Sequence, residues 1–326
     1  MTVREIDLAE LTHLNVHATE AQALVWRGRR ALKLNGLALV RGLEVGDATI
    51  EVDIWAEGSC YPGIAFHVAD VLNYELAYAA PHCSGLCDAV QYDPVFHGSN
   101  TWQLYHGEAY QKASSVPTVE WYHLRIDIQG SRAAIRVREQ AALAVPQLAH
   151  VPRTGGVGVW TYLPAYFSNL RVSPYREPPA AGVGAPGRAP EVVGDWFVEG
   201  FGRVACEPNG VLNLNRYLPA ALGEVRLMRR FEAIAAGQVE LAFGFSDELS
   251  LAVDDTVVFA GCNTFQGFDS YEDRGYVHLE AQSIRLPLEP GIHALTATLK
   301  VTEGFGWGLI TALRGAQARL LPAESG

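Results

Sequence analysis

The chain reads as an all-β protein of two domains. Three observations predict this. Apolar and polar residues alternate at period two along most of the chain. Gly, Asn, Asp and Pro punctuate the alternating runs. One Pro- and Gly-rich stretch interrupts the pattern between two halves. Period-two alternation is how a strand reads when one face is buried and the other is wet. Turn residues between such runs are what antiparallel connections require.

The elements follow in order. Ile50, Val52 and Ile54 alternate with Glu51, Asp53 and Trp55. Ile64, Phe66 and Val68 alternate with Ala65 and His67. Tyr122, Leu124, Ile126 and Ile128 alternate with His123, Arg125 and Asp127. Only short segments, Leu8 to Leu14 and Pro219 to Glu224, have a helical look. Each sheet must bury one face, so so many strands predict sandwiches or barrels. At Ser173 the composition changes. Residues 173–194, SPYREPPAAGVGAPGRAPEVVG, carry no periodicity and predict a semi-extended linker. Alternation then returns in Val239, Leu241 and Phe243, in Leu249, Leu251 and Val253, and in Leu295, Ala297, Leu299 and Val301. The predicted domains are 1–172 and 195–326, joined by the 173–194 linker, and both have ordinary domain sizes.

Bulk composition narrows the partners. The 326 residues are 49% hydrophobic and 19% charged, with a net charge of -11. Each half can therefore build a core, while nucleic acid and anionic membrane surfaces are disfavoured as partners. No window of ~18 apolar residues suggests a membrane-spanning helix. The N-terminus, MTVREIDLAELTHLNVH, lacks a basic region followed by an apolar run. Read literally, it predicts a cytoplasmic chain, or one outside the cell if a leader has been removed. The five cysteines, Cys60, Cys83, Cys87, Cys206 and Cys262, are odd in number and widely spread. They predict thiols rather than a disulfide framework. Cys83 and Cys87 lack the second close pair that a zinc site needs, so no metal is assigned to them.

The stretch from Asn73 to Tyr110 concentrates chemistry. Tyr74, Tyr78, Tyr92, Phe96, Trp102, Tyr105 and Tyr110 lie among His82, His97, His106, Gln91, Asn100 and Gln103. Flat apolar rings beside neutral hydrogen-bonding groups suit a ligand with an apolar face and a hydroxyl rim, and a sugar is such a ligand. The competing reading is core packing, since Tyr and Trp bury large areas and find a partner for their polar atom. Tyr74, Tyr78 and Phe96 are expected to be core.

Three phrases carry a resemblance: GIAFHVADVLNYELAYAAPHCSGLCDAVQYDPVFHGSNTWQLYHGEAY, EWYHLRIDIQGSRAAIRV and GGVGVWTYLPAYFSNLRV. Across residues 20–172 the chain resembles the bacterial concanavalin A-like lectin/glucanase superfamily, the laminin-G-like jelly rolls. The resemblance implies a glycan-binding groove on the concave sheet face. Trp102, Tyr92 and Tyr105 would be its stacking platforms. Gln91, Gln103, Asn100, His82 and Asp88 would serve the sugar hydroxyls. That fold hosts lectins, glycosidases, lyases and adhesion modules, so fold alone names no activity. FGFSDELSLAVDDTVVFAG and IRLPLEPGIHALTATLKVTEGFGWGLITAL resemble a galactose-binding-like or protective-antigen-like sandwich.

Two acidic sets bear on catalysis. Glu75, Asp88 and Asp93 interleave with His82 and His97, and a His–carboxylate–Tyr group can do general acid–base work. His82, Asp88 and Glu75 are the catalytic candidates. Glu51, Asp53 and Glu57 share parity and invite comparison with the E-x-D-x-E strand of laminarinase-type glycosidases. Glu51 and Glu57 lie about 20 Å apart along a regular strand, against the ~5 Å that retaining catalysis needs. Solvated outer-face charges explain that trio better. In the second half, Asp247, Glu248, Asp254, Asp255, Asp269, Glu272 and Asp273 sit at turns. Such loops can hold structural calcium, although no D-x-D-x-D-G run is present. Phe305-Gly-Trp307-Gly reads either as an exposed aromatic clamp or as packing at a strand end. No phosphate loop, strand–GxGxxG–helix unit or G-x-S-x-G elbow occurs, and no cofactor is expected. The sequence therefore predicts carbohydrate binding, with a hydrolase or lyase and a structural or assembly module as the alternatives.

Overall fold

The computed structural model describes residues 2–151, 153–175, 187–315 and 318–321. The fold is all-β. The two segments with a helical look form single 3-10 turns, Leu11–His13 and Ala220–Leu222. The chain divides into two compact units. One comprises Met1–Gly98 and Tyr105–Gly184, and the other Ser99–Leu104 and Ala185–Gly326. Residues 176–186 of the expected linker lie outside the described residues. One assignment changes: Ser99–Leu104, expected in the first domain, belongs to the second unit.

The first unit holds a sheet of twelve strands among the described residues. Its central strand, Gly155–Pro174, runs through two halves of that sheet. Gly158 to Thr161 pair with Leu39 to Gly36, and Gly158 to Trp160 also pair with Ala65 to Gly63. Tyr166 to Pro174 pair with Trp55 to Ala48. Between these stretches the register shifts from Thr161 to Ala165. Leu163 adopts φ 67° there, and Pro164 offers no N–H to a ladder. Such a bulge re-aims a strand, which lets one segment serve both halves. The apolar residues of the alternating runs face inward: Ile50, Val52, Ile54, Leu124, Ile126, Ile128 and Phe167 are each 0% exposed. Each such side chain contributes about 1.5–3 kcal/mol of burial free energy.

In the second unit, sheets of seven and four strands enclose a common core among the described residues. Trp196, Trp307, Phe231 and Phe243 lie fully buried between them. Trp307 is thus packing rather than a clamp, whereas Phe305 is 37% exposed. Ser99–Leu104 completes this unit. Gln103 N–H donates to the Phe305 carbonyl (3.0 Å), and Val277 N–H donates to the Gln103 carbonyl (2.9 Å). The Ser246 hydroxyl donates to Gln103 Oε1 (2.7 Å), and Gln103 Nε2 donates to the Arg274 carbonyl (3.2 Å). Leu104 lies so close over Gly308 that a Cβ there would come within 2.5 Å of its Cδ2.

The five cysteines are thiols. Burial pushes Cys60 up to about 12, which removes it from thiolate chemistry near neutral pH. Among the described residues, no group of three or more His, Cys, Asp or Glu side chains is placed to hold a metal ion. The turn acids have other partners. Asp247 is 0% exposed and accepts from the backbone N–H groups of Thr302 (2.5 Å) and Glu303 (2.6 Å). Asp254 accepts from Ala294 N–H (2.8 Å) and lies 2.6 Å from His293 Nδ1.

Candidate functional site

Strand alternation sorts the candidates of the 73–110 region onto opposite sides of one sheet. In Asn73–Ala79, Glu75 and Ala77 point one way, and Tyr74, Leu76 and Tyr78 the other. Tyr92 is the cross-strand partner of Ala77 and shares the side of Glu75. Its hydroxyl donates to Glu75 Oε2 at 2.5 Å. His150 N–H donates to Glu75 Oε1 (2.9 Å), and Arg153 Nη1 lies 3.5 Å from the same oxygen. Glu75 and Tyr92 are both 0% exposed. Burial first, and the Glu75 charge second, push the Tyr92 hydroxyl well above its ordinary range.

These facts correct several expectations. Tyr92 presents no ring face to a sugar, and Glu75 reaches no substrate. Both belong to a buried polar network. Tyr105, Gln91, Gln103 and Asp88 are buried as well. Gln91 Nε2 donates to the Tyr105 carbonyl (3.1 Å), and Gln111 Nε2 donates to Gln91 Oε1 (3.0 Å). The physical reason is that large rings and amides lower the free energy more by burial with satisfied polar atoms than by exposure. Trp102 and Asn100 are half-buried, but both lie in Ser99–Leu104 and so belong to the second unit. There Trp102 packs against Phe305 (ring centroids 5.2 Å), Tyr276 (5.8 Å) and Phe265 (6.0 Å). Of the eight predicted ligand residues, Tyr92, Tyr105, Gln91, Gln103 and Asp88 are buried.

His82 has both ring nitrogens buried, which corrects its expected role toward sugar hydroxyls, and it leads to a different group of rings. It lies in the 3-10 turn Pro81–Cys83, half-exposed, and meets Tyr61 edge-on at 4.7 Å. Tyr61 also meets Tyr78 edge-on (5.6 Å) and Tyr162 at a tilt (6.1 Å). Tyr78 lies 6.1 Å from Trp160. The register explains the arrangement: Leu37, Trp160, Gly63 and Tyr78 form one row across four strands. Gly63 sits between Trp160 and Tyr78 and contributes no side chain. A Cβ on it would come within 2.2 Å of the Ala77 carbonyl and 2.7 Å of Tyr78 Cβ. Gly63 thus leaves a gap between Trp160 and Tyr78, and Tyr78 is itself core, 5% exposed and packed with Leu37, Tyr74 and Leu76. Trp160 and Tyr61 are half-buried, and Tyr162 is 61% exposed. Tyr61 N–H donates to the Tyr162 carbonyl (3.1 Å), which fixes the two residues together at the rim. The extended neighbours Asn15 and His17, opposite Leu39 and Leu37, are exposed in the same rows. Trp160 and Tyr162 were legible in the GVGVWTYLP phrase, where they share parity at the end of an alternating run.

A second polar surface lies on the other half of the sheet, on the side away from Ile50, Val52 and Ile54. Asp53 is opposite His123, and Glu51 opposite Arg125. His123 Nδ1 lies 2.9 Å from Asp53 Oδ1, and His123 Nε2 lies 3.4 Å from Glu51 Oε1. Asn169 Nδ2 donates to Asp53 Oδ2 (2.7 Å), and Arg29 pairs with the same oxygen. The hydrogen bond to Asp53 raises the His123 imidazolium above its ordinary range. Burial alone would raise the Asp53 carboxyl, but His123, Asn169 and Arg29 outweigh it and hold it below its ordinary range. Trp55 and Trp121 flank this network edge-on at 5.9 Å, with Arg29 4.9 Å from the Trp121 ring and Arg27 5.2 Å from Trp55. Two of the acids read as solvated charges are therefore engaged in this ion-pair network. Glu57 accepts from Trp55 Nε1 at 2.8 Å.

No protein-family model matches the chain, and no curated protein matches it. Among solved structures, carbohydrate-binding module CBM66 from Bacillus subtilis is 17% identical, with TM-score 0.37, covering 48% of this chain and 93% of its own. A Bacillus subtilis protein of unknown function with a galectin-like fold is 8% identical, with TM-score 0.40, covering 54% and 98%. Domain 4 of AbnA, a GH43 extracellular arabinanase from Geobacillus stearothermophilus in complex with arabinotriose, is 10% identical, with TM-score 0.32, covering 55% and 84%. These scores are too low to transfer a site, so the chemistry below comes from this chain's own residues.

Proposed function

We propose that the first unit is a concanavalin A-like sandwich that binds a carbohydrate across Trp160, Tyr61 and Tyr162, and that the second is a galactose-binding-like sandwich. One observation carries the binding reading: half-buried Trp160 and Tyr61 and exposed Tyr162 gather near the side-chain-free Gly63, and among the described residues no guanidinium is found over their rings. A sugar presents axial C–H groups that cover an indole or phenol face, and hydroxyls that Tyr162 meets at the rim. Ring faces supply area, and a few placed polar groups supply orientation. The full-length chain screened on a glycan array, then titrated calorimetrically with the best glycan, tests this. Trp160→Ala and Tyr162→Ala each cut affinity about ten- to hundred-fold, the equivalent of about 1–3 kcal/mol. Tyr162 is already exposed, so its loss leaves the fold intact. If no glycan binds, or both variants bind as the wild type does, the proposal fails.

A second reading has its own observation. Asp53 and Glu51 flank His123 beside two indoles, so a carboxylate held ionised and an imidazolium share one surface. Such a group can serve acid–base cleavage of a glycosidic bond. Product analysis separates the readings. Turnover that collapses in Asp53→Asn while binding persists supports the enzyme, and binding without products supports the lectin.

A further inference from the structure

We infer that the second unit carries a binding site for a compact oxyanion (carboxylate, sulfate or phosphate), formed by Arg188, Arg203 and Arg229 around Asp195. The inference is independent of the carbohydrate reading of the first unit. The three guanidiniums line one cleft of about 520 Å³, with Asp195 as its single acid among the described residues. This is the size range of small-ligand sites. Asp195 divides its carboxylate between two of them. Arg203 Nε donates to Oδ2 at 2.9 Å, and Arg229 Nη1 donates to Oδ1. The third, Arg188, donates Nη1 to the Val192 carbonyl at 2.7 Å and has no acidic partner among the described residues. Three cations against one anion leave the cleft with a formal charge of +2, in a chain whose net charge is -11.

Burial sharpens the imbalance. Arg229 is 8% exposed, and it sits in a core-facing position of Glu224–Ala233, between Leu227 and Phe231. Its Nε is buried and finds no hydrogen-bond partner among the described residues. A buried guanidinium with an unused donor costs free energy unless something satisfies it. Burial, and the neighbouring Arg203 charge, both work against the cation at Arg229, while Asp195 supports it. The nearby acid Glu207 is engaged with Arg216 at 2.6 Å and does not offset the excess. The Arg188 guanidinium lies against the chain at Gly194, where a Cβ would come within 2.6 Å of its Cζ. Planar forks that present paired N–H donors match carboxylate, sulfate and phosphate oxygens two at a time.

Scanning calorimetry of the full chain at constant ionic strength tests the site, with sodium sulfate, sodium phosphate or sodium galacturonate replacing sodium chloride. The expected result is a concentration-dependent rise of the second unit's transition in at least one of the three, as mass action requires for a ligand bound only by the folded state. The anion that acts identifies the source: galacturonate alone points to an acidic sugar, and sulfate or phosphate to the inorganic ion or its esters. Arg188→Ala and Arg203→Ala alter exposed side chains and should leave the fold intact. Each weakens the anion's apparent affinity at least about tenfold. Asp195→Asn removes the competing carboxylate and strengthens it. Stabilisation equal to that in chloride, or stabilisation unchanged in both arginine variants, overturns the inference and leaves only an Asp195 ion-pair network.

Discussion

Replacing Tyr92 by Phe separates a core role from a sugar-contact role for the ring that the sequence placed in the binding groove. The substitution keeps the ring's area and removes one oxygen. That oxygen makes two hydrogen bonds: it donates to Glu75 Oε2 at 2.5 Å and accepts from Ala149 N–H at 2.7 Å. Both partners lie where water does not reach Tyr92, whose exposure is 0%. A hydrogen bond to a charged group contributes about 1.5–3 kcal/mol, and a neutral one about 0.5–1.5 kcal/mol. The loss for Tyr92→Phe is therefore about 2–4 kcal/mol, or about thirty- to a thousand-fold in the unfolding equilibrium of the first unit. Urea denaturation followed by tryptophan fluorescence reads it as an earlier midpoint of that unit's transition, with an unchanged slope. Glycan affinity stays at the wild-type value below the transition. A variant as stable as the wild type to within about 0.5 kcal/mol, with affinity reduced tenfold, would refute the reasoning and restore Tyr92 as a ligand contact.

Two further outcomes follow from the same geometry. His123 is raised above its ordinary 6.5, so its pairing with Asp53 and Glu51 stabilises fully below the unfolded value and is lost as pH rises through the folded one. Asp53 is held below its ordinary 3.8, so its contribution is present above that value and is lost as pH falls through the folded one. The first unit's melting temperature should therefore fall on both sides of a plateau between roughly pH 4 and 6.5, and His123→Gln should remove the alkaline fall; an unchanged alkaline limb in that variant assigns the effect elsewhere. In the second unit, Gln103→Ala removes a side chain that is 0% exposed and bonded to Ser246 and Arg274. Its calorimetric transition should drop by the equivalent of about 1–3 kcal/mol while the first unit's transition stays in place; equal shifts of both transitions would contradict the assignment of Ser99–Leu104 to the second unit.

The parts of the fold that were legible in the sequence are those decided by local periodicity. Ile50, Val52 and Ile54 face inward because alternate positions on a strand face one side, and no distant residue is needed to know it. The same rule showed that Glu51 and Asp53 share a face. It did not show that His123 lies opposite Asp53, or that Arg29 and Asn169 converge on that carboxylate. Those partners come from strands separated by tens of residues. Pairing register, not periodicity, brings them together. Reading the acids as solvated charges omitted this step.

The aromatic cluster failed for a related reason. A run rich in rings shows that rings will be close together, but the choice between burial and exposure depends on which sheet face each one takes. Tyr92 sits opposite Ala77 and joins Glu75, whereas Tyr78, one residue along the partner strand, points to the opposite face and meets Trp160 and Tyr61. A one-residue difference in parity thus sends Tyr92 into the Glu75 network and Tyr78 into the apolar cluster with Leu37, Tyr74 and Leu76. Trp160 and Tyr162 also share parity, and their phrase is as aromatic as the 73–110 region, yet they lie nearly sixty residues beyond Trp102. Gly63 brings Trp160 into the same row as Tyr78, and Tyr162 joins through Tyr61. Segment 99–104 shows the opposite limit. Nothing in SNTWQL marks it as part of another unit, because Gln103 is bound through partners at 246, 274, 277 and 305. A hydrophilic amide in a loop reads as solvent-facing until those four partners are placed around it.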